Sequence, residues 1–342
     1  MPAGRINRRV VLARRPAAAV TEDDFRLEEA PLGTPADGEV LVQNEWLSLD
    51  PYMRGRMSDA KSYATPVAIG EVMVGQTVGE VIASRDPRLA TGEKVLTNLG
   101  WQAFGVCKAA DVVRIDARDV PASYYLGILG MPGITGWIGL TEIGRPRPGD
   151  TLVVSAASGA VGSVVGQLAR IAGCRVVGVA GGAAKCAYVV DELGFDACVD
   201  HRAEAFDARL RTACPDGIDV DFENVGGKVL DAVLALANRH ARVVLCGVVA
   251  EYGGAYPHAS IRSILVNRIR MEGMIVFDWK DRYAEATARL RAFVVDGRLK
   301  YRESVVEGLE NAPKGLIGLL RGENFGKQLV RIDRRAPTSA RS

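Results

Sequence analysis

A chain of 342 residues is long enough for two domains of ordinary size, each with its own core. Its 48% hydrophobic and 25% charged residues are the composition of a globular protein, and a formal net charge of +2 gives no reason to invoke nucleic acid. The longest apolar segments are strand-length and broken by glycine or charge, which argues against a membrane span. At the N-terminus, the stretch from Arg5 to Arg15 holds five arginines (5, 8, 9, 14 and 15) and no acid. That bias would suit a transit peptide, but Val10-Val11-Leu12 reads as a first β-strand and no apolar signal core follows, so strand is expected. The acidic run Glu22-Asp23-Asp24 reads as a solvated loop. Short strands follow at 39–44, 77–82 and 93–97, punctuated by glycine, proline and aspartate, as in a compact β-rich unit reaching to about residue 128. Six cysteines (107, 174, 186, 198, 214 and 246) are scattered without a C-x-x-C pair. They are expected to be reduced, buried, small hydrophobes of a cytoplasmic protein.

From Thr151 the rhythm becomes strand, helix, strand, with strands expected at 151–154, 174–180, 197–200, 218–223, 242–246 and 271–277. Strands alternating with helices fit a doubly wound parallel sheet. Between the first strand and a helix over 164–172 lies Ser155-Ala156-Ala157-Ser158-Gly159-Ala160-Val161-Gly162, with Gly166 one turn on. A tight glycine turn there lets a pyrophosphate approach the backbone and rest on the helix N-terminus, where free N–H groups and the dipole favour negative charge. The first glycine of the usual G-x-G-x-x-G is Ala157, so the pattern takes its weight from the strand–turn–helix context. An NAD site needs a carboxylate about 20 residues beyond this fingerprint, to accept from the ribose 2′-OH. Here that region reads Ala180-Gly181-Gly182-Ala183-Ala184-Lys185, without an acid. A glycine-lined floor beside Lys185 would accept a 2′-phosphate, so the reading is NADP. The competing reading of Lys185 is an ordinary solvated lysine in the first turn of a helix, an end where the dipole disfavours it. After residue 300 short strands and a helix return, ending in Gln328-Leu329-Val330-Arg331-Ile332, and the polar residues from 333 onward are expected to be disordered.

These segments together resemble the zinc-free branch of the medium-chain dehydrogenase/reductase superfamily, that of prostaglandin reductases, alkenal double-bond reductases and bacterial curcumin reductase. The likeness is carried by Leu49-Asp50-Pro51-Tyr52-Met53-Arg54-Gly55-Arg56-Met57, 156–166, 180–186, Phe222-Glu223-Asn224-Val225-Gly226-Gly227 and Glu323-Asn324-Phe325-Gly326-Lys327, in the family's order. It implies a GroES-like catalytic domain over 1–128 and 300–335, an inserted NADP-binding Rossmann domain over 129–299, and a tail over 336–342. By the same resemblance, Gly159, Ala160, Val161 and Gly162 would cradle the pyrophosphate and Lys185 would hold the 2′-phosphate. Asn224, the segment from Cys246 and Gly247 to Tyr252, Phe277 within 274–280, and Asn324 would line the rest of the cofactor. Where relatives commonly place a tyrosine near the 2′-phosphate, this chain has His201, followed by Arg202.

Zinc-dependent relatives carry a cysteine where this chain reads Ser48-Leu49-Asp50, and a histidine where it reads Gly70-Glu71-Val72. With its three histidines at 201, 240 and 258, no set of three protein ligands around an open position assembles, and no metal is expected. A hydride from NADPH would then need a carbon already activated by conjugation: the β-carbon of an α,β-unsaturated ketone or aldehyde, with charge developing on the carbonyl oxygen and a proton reaching the α-carbon. Tyr252, beyond the fifth strand, is the candidate donor to that oxygen; alternatively it packs on the cofactor. Tyr52 either faces the substrate or packs in the core, and Tyr256 and Trp279 either shape the pocket or simply pack. A quinone oxidoreductase and a non-catalytic NADPH-binding protein are the competing functions. A homodimer is expected from the family and from an apolar sixth strand at an otherwise open sheet edge.

Overall fold

The computed structural model describes residues 6–252, 254 and 256–332, so the expected tail beyond 332 lies outside the described residues. The chain divides into two compact units, Met1–Leu126 with Glu303–Ser342, and Gly127–Arg302. In the first unit, β1 (Ile6–Leu12) pairs antiparallel with β2 (Phe25–Pro31). The arginine-rich start is thus a strand, with Val10, Val11 and Leu12 all buried. The main sheet is organised by β3 (Glu39–Ser48), which pairs antiparallel with β4 (Thr77–Ser84). Beyond β4 lie β5 (Lys94–Thr97) and, after β6 (Phe104–Lys108) returns to β3, the short β7 (Val113–Arg114) against β5. Val40, Leu41 and Val42 are consecutive and all buried, so β3 is covered on both faces there. Beside it, Leu47, Leu49, Met53, Met57, Met73 and Trp101 form a core, with Phe25 stacked on the Trp101 ring at 5.3 Å.

The second unit holds β8 (Thr151–Ser155), β9 (Arg175–Ala180), β10 (Ala197–Asp200), β11 (Ile218–Glu223), β12 (Ala237–Leu245) and β13 (Arg270–Gly273). They form one parallel sheet in the order β10-β9-β8-β11-β12-β13. The order reverses between β8 and β11, so the crevice beyond their carboxyl ends is the switch point where doubly wound sheets bind ligands. All five residues of β8 are buried, as an inner parallel strand requires. Two strands depart from expectation. The fifth begins at Ala237, with an irregular register against β11 and His240 at φ +66°, where a bulge takes up the extra residues. The sixth stops at Gly273 rather than 277: its neighbour among the described residues, β12, ends at Leu245, whose carbonyl takes the Met274 N–H. With no further partner among the described residues, the apolar residues Val276 and Phe277 turn into a 3₁₀ run, Val276–Arg282.

The chain then re-enters the first unit, where β14 (Glu303–Glu307) lies parallel to β15 (Lys327–Arg331) and β15 pairs antiparallel with β3. All six cysteines are unpaired, but only Cys174 and Cys214 are buried; the other four are half-buried, which corrects the expectation of six core thiols. Among the described residues, no helix is long and apolar enough to cross a membrane.

Candidate cofactor site and active site

At the end of β8 the chain turns sharply through Ala156, which takes a left-handed φ of +50°, and the Gly159 N–H closes back on the Ala156 carbonyl at 2.8 Å. The helix Gly162–Ile171 starts immediately after. A Cβ on Gly162 would overlap the Ala156 carbonyl, so only glycine allows this approach. The first N–H groups of this ten-residue helix have no partner within the helix itself, so its start makes a cradle that fits a phosphate. Ala157, in place of the first fingerprint glycine, is fully buried, and the opposite glycine, Gly178 of β9, supplies its room: a Cβ there would stand 2.8 Å from that of Ala157.

The end of β9 is where a nucleotide's second phosphate would be read. Gly181 carries no side chain, and its space is filled from above: a Cβ would meet His201 Nε2 at 2.9 Å and Arg202 Nε at 3.0 Å. Lys185 stands half-buried on the short helix Ala183–Ala187. Burial, then the charge of Arg202, lowers its pKa. The His201 ring is likewise pushed down, first by burial and then by Arg202, Lys228 and, more weakly, Lys185. Lys185, Arg202 and Lys228 therefore gather at the His201 ring and disfavour its charge, and an anion would relieve that repulsion. The nearest acid does not spoil it. Asp200 turns its carboxylate onto the backbone N–H groups of Gly182 and Arg202, both at 2.9 Å, and these bonds hold its pKa below the usual range. Sequence reasoning missed Lys228: it sits on the first turn of the helix Gly227–Leu236, and nothing in its local sequence marks it.

Beyond the switch point, two turns are stitched together. Ser155 donates its hydroxyl to Glu223 Oε1 at 2.5 Å and accepts the Asn224 N–H at 2.7 Å, while Asn224 Nδ2 donates to the Ser155 carbonyl. The same Glu223 oxygen receives the N–H groups of Val225 and Gly226. Cys246 and Gly247 donate to the Glu223 carbonyl, and Ala250 to that of Val225. Asn224, Cys246 and Gly247 are thus brought to one edge, and the turn Val249–Glu251 that follows leads to Tyr252, which is 36% exposed. Burial pushes the Cys246 thiol up to about 12, leaving it protonated and unreactive near neutral pH. Phe277 lies in the 3₁₀ run, 45% exposed, with Lys280 Nζ 5.9 Å over its ring.

The remaining expected residues belong to the other unit. Asn324 ties its own turn, donating Nδ2 to the Gly326 carbonyl at 2.7 Å. Tyr52 opens the short helix Tyr52–Arg56 and packs against the core; burial, then the Asp50 charge, raises its hydroxyl pKa. Lys327 is buried and donates to the Leu49 carbonyl at 2.8 Å and to Asp50 Oδ1 at 2.6 Å, and Asp50 also accepts the Ser48 hydroxyl. The segment that carries a zinc ligand in metal-dependent relatives is thus closed around an internal ion pair. Among the described residues, no three His, Cys, Asp or Glu side chains group to hold a metal ion.

Family comparison agrees with this geometry. Residues 8–115 match the N-terminal domain of oxidoreductases, and 160–292 match the family described as zinc-binding dehydrogenase. The NADPH-dependent curcumin reductase of Escherichia coli is 48% identical over 334 residues, covering 95% of this chain and 97% of the relative. The NADP-dependent 2-alkenal reductase of Nicotiana tabacum is 38% identical, covering 96% and 98%. The crystal structure of CurA from Vibrio vulnificus in complex with NADPH superposes with a TM-score of 0.91 at 48% identity, over 96% of this chain and 99% of that one. Likeness of this extent makes the chain a member of the zinc-free branch of the medium-chain dehydrogenase/reductase superfamily, alongside curcumin reductase, 2-alkenal reductase and the prostaglandin reductases.

Proposed function

We propose that the protein is an NADPH-dependent reductase of the carbon–carbon double bond of α,β-unsaturated ketones and aldehydes that works without a metal. The observation that carries the cofactor is the pair of anion cradles at the carboxyl edge of one parallel sheet: the glycine turn opening the helix Gly162–Ile171 and the cluster at Lys185. The relatives named for curcumin and 2-alkenals supply the substrate class.

Gly159, Ala160, Val161 and Gly162 hold the pyrophosphate through backbone N–H groups. Lys185, His201, Arg202 and Lys228 hold the 2′-phosphate. Asn224, Cys246, Gly247 and Phe277 line the middle of the cofactor, and Asn324 joins them on family likeness alone. When bound, NADPH supplies the hydride that the substrate's β-carbon receives. Tyr252 donates a hydrogen bond to the carbonyl oxygen as it becomes an enolate, which lowers the barrier by stabilising developing charge. The α-carbon then takes a proton. Tyr52 contacts the substrate in this reading, again from family likeness. The protein works as a cytoplasmic enzyme, supported by six unpaired cysteines. It works as a homodimer, supported by β13, which among the described residues pairs with β12 alone, and by Ile261, Leu265 and Val266, each more than half exposed.

The test is NADPH oxidation at 340 nm with trans-2-alkenals, a conjugated aryl enone and a quinone, with NADH in parallel and product analysis. Saturated ketones and aldehydes formed with NADPH are expected. Turnover of quinones alone would make the chain a quinone oxidoreductase, and NADPH binding without turnover of any would leave a cofactor-binding protein.

A further inference from the structure

The turn Val249–Glu251 spans three residues, and its backbone is tethered at one end, where the Val249 and Ala250 N–H groups donate to the carbonyls of Asn224 and Val225. Side chains hold its other end. Glu251 Oε1 accepts the Gly227 N–H at 2.8 Å and the His258 Nε2–H at 3.1 Å. Room for that carboxylate is left by Gly226, where a Cβ would stand 2.6 Å from Glu251 Oε1. The other ring nitrogen, His258 Nδ1, is buried 3.4 Å from Asp231 Oδ1, on the helix Gly227–Leu236. Asp231 also accepts the N–H groups of Ala259 and Ser260 at 3.0 and 3.1 Å, fastening the residues after His258 to the same helix. Tyr256 packs edge-on against the ring, with centroids 5.0 Å apart. The ring thus hydrogen-bonds Glu251 through Nε2 while lying beside Asp231, a polar hold on the Glu251 carboxylate that an apolar filler would not supply.

We propose that His258 is a positioning residue for the reaction: with Glu251 it forms a clasp that holds the Val249–Tyr252 turn against Gly226–Gly227 and so keeps the Tyr252 hydroxyl aimed for turnover. This rests on the reading of Tyr252 as the donor to the enolate oxygen. His258 acts only through Glu251, and small displacements of a positioned group are enough to cost one or two orders of magnitude in rate.

The test compares H258L, H258Q and E251Q, each alone and with Y252F, on the full chain. The readouts are kcat and KM with a conjugated aryl enone, NADPH Kd by fluorescence, and the melting temperature. H258L is expected to lower kcat about tenfold with NADPH Kd within about threefold of the parent. H258Q, which keeps an N–H for Glu251, restores most of kcat, and in the Y252F background H258L changes it less than about twofold. Parental kcat in H258L, with kcat lost in Y252F, overturns the clasp and leaves the Tyr252 reading standing. Parental kcat in Y252F overturns the Tyr252 reading and the clasp with it. Should H258L fail to fold, E251Q carries the same comparison: a loss of kcat without loss of NADPH affinity supports the clasp, and no loss overturns it.

Discussion

Gly181, just beyond β9, shows how a missing side chain makes room for distant groups. Where an NAD enzyme would present a carboxylate, the glycine leaves space that His201 and Arg202 occupy, with Lys185 and Lys228 close by. Of these, Lys185 and the missing acid were legible from spacing to the fingerprint, whereas Lys228 was not, because only the fold brings its helix to this corner. Lys185→Ala is expected to weaken NADPH by about 10–100-fold, the range of a lost charged hydrogen bond, and NADH by less than about threefold. Titration calorimetry with both cofactors decides it, and equal losses would remove Lys185 from the 2′-phosphate. A second residue carries a pH signature. Asp221 is buried, and among the described residues neither carboxylate oxygen has a partner, while Glu223 on the same strand is served by the Ser155 hydroxyl and backbone N–H groups. Burial, then the Glu223 charge, pushes the Asp221 carboxyl well above the usual range, so it is the member of the pair that keeps the proton. Unfolded, it releases that proton above about pH 4. Folding therefore takes up a proton above that pH, and stability falls as pH rises until the folded pKa is reached. Asp221→Asn, neutral throughout, should flatten this slope and stabilise the chain at pH 8 by about 1–3 kcal/mol, with little change near pH 4. Melting curves of parent and variant that stay parallel from pH 4 to 8 would refute it.

At the scale of elements, the strand–turn–helix at 151–171 was readable because three signals coincide: a buried apolar run, glycines at a fixed spacing and a helical pattern with small residues. Ala157 broke the usual fingerprint, and its explanation lies on another strand, in the space left by Gly178. Gly166 has a similar tertiary reason: a Cβ there would run into the Phe195 ring, so the helix Gly162–Ile171 packs close because this residue has none. Gly166→Ala should therefore cost about 1–3 kcal/mol despite alanine's better helix propensity. Adding Phe195→Leu should recover part of that loss. An alanine variant that melts with the parent would show that the helix can shift freely. The sixth strand was over-extended because an apolar run such as Met274-Ile275-Val276-Phe277 has the same composition whether or not a neighbour exists to pair with it.

At the scale of the whole molecule, a β-rich unit interrupted by a parallel α/β unit followed from the change of rhythm along the chain. Assembly is a separate question, because the open edge of β13 and the exposed Leu265 and Val266 become a liability or an interface according to what covers them. Light scattering at micromolar concentration should give twice the chain mass, and Leu265→Asp should shift it toward the monomer; a monomeric parent would remove the homodimer.

What the sequence by itself determined is whatever depends on local order: the alternation of strands and helices, the glycine turn with its phosphate chemistry, and the lack of an acid after the second strand. These are properties of neighbours along the chain, written in period and spacing. Only the tertiary structure decided which distant groups meet. The corner of Lys185, His201, Arg202 and Lys228, Ser155 joining Asn224 to Glu223, the Lys327–Asp50 pair and the His258–Glu251 contact all join residues whose separation in sequence carries no mark of their contact. Charges and hydrogen bonds act over a few ångströms of space, and folding alone sets those distances.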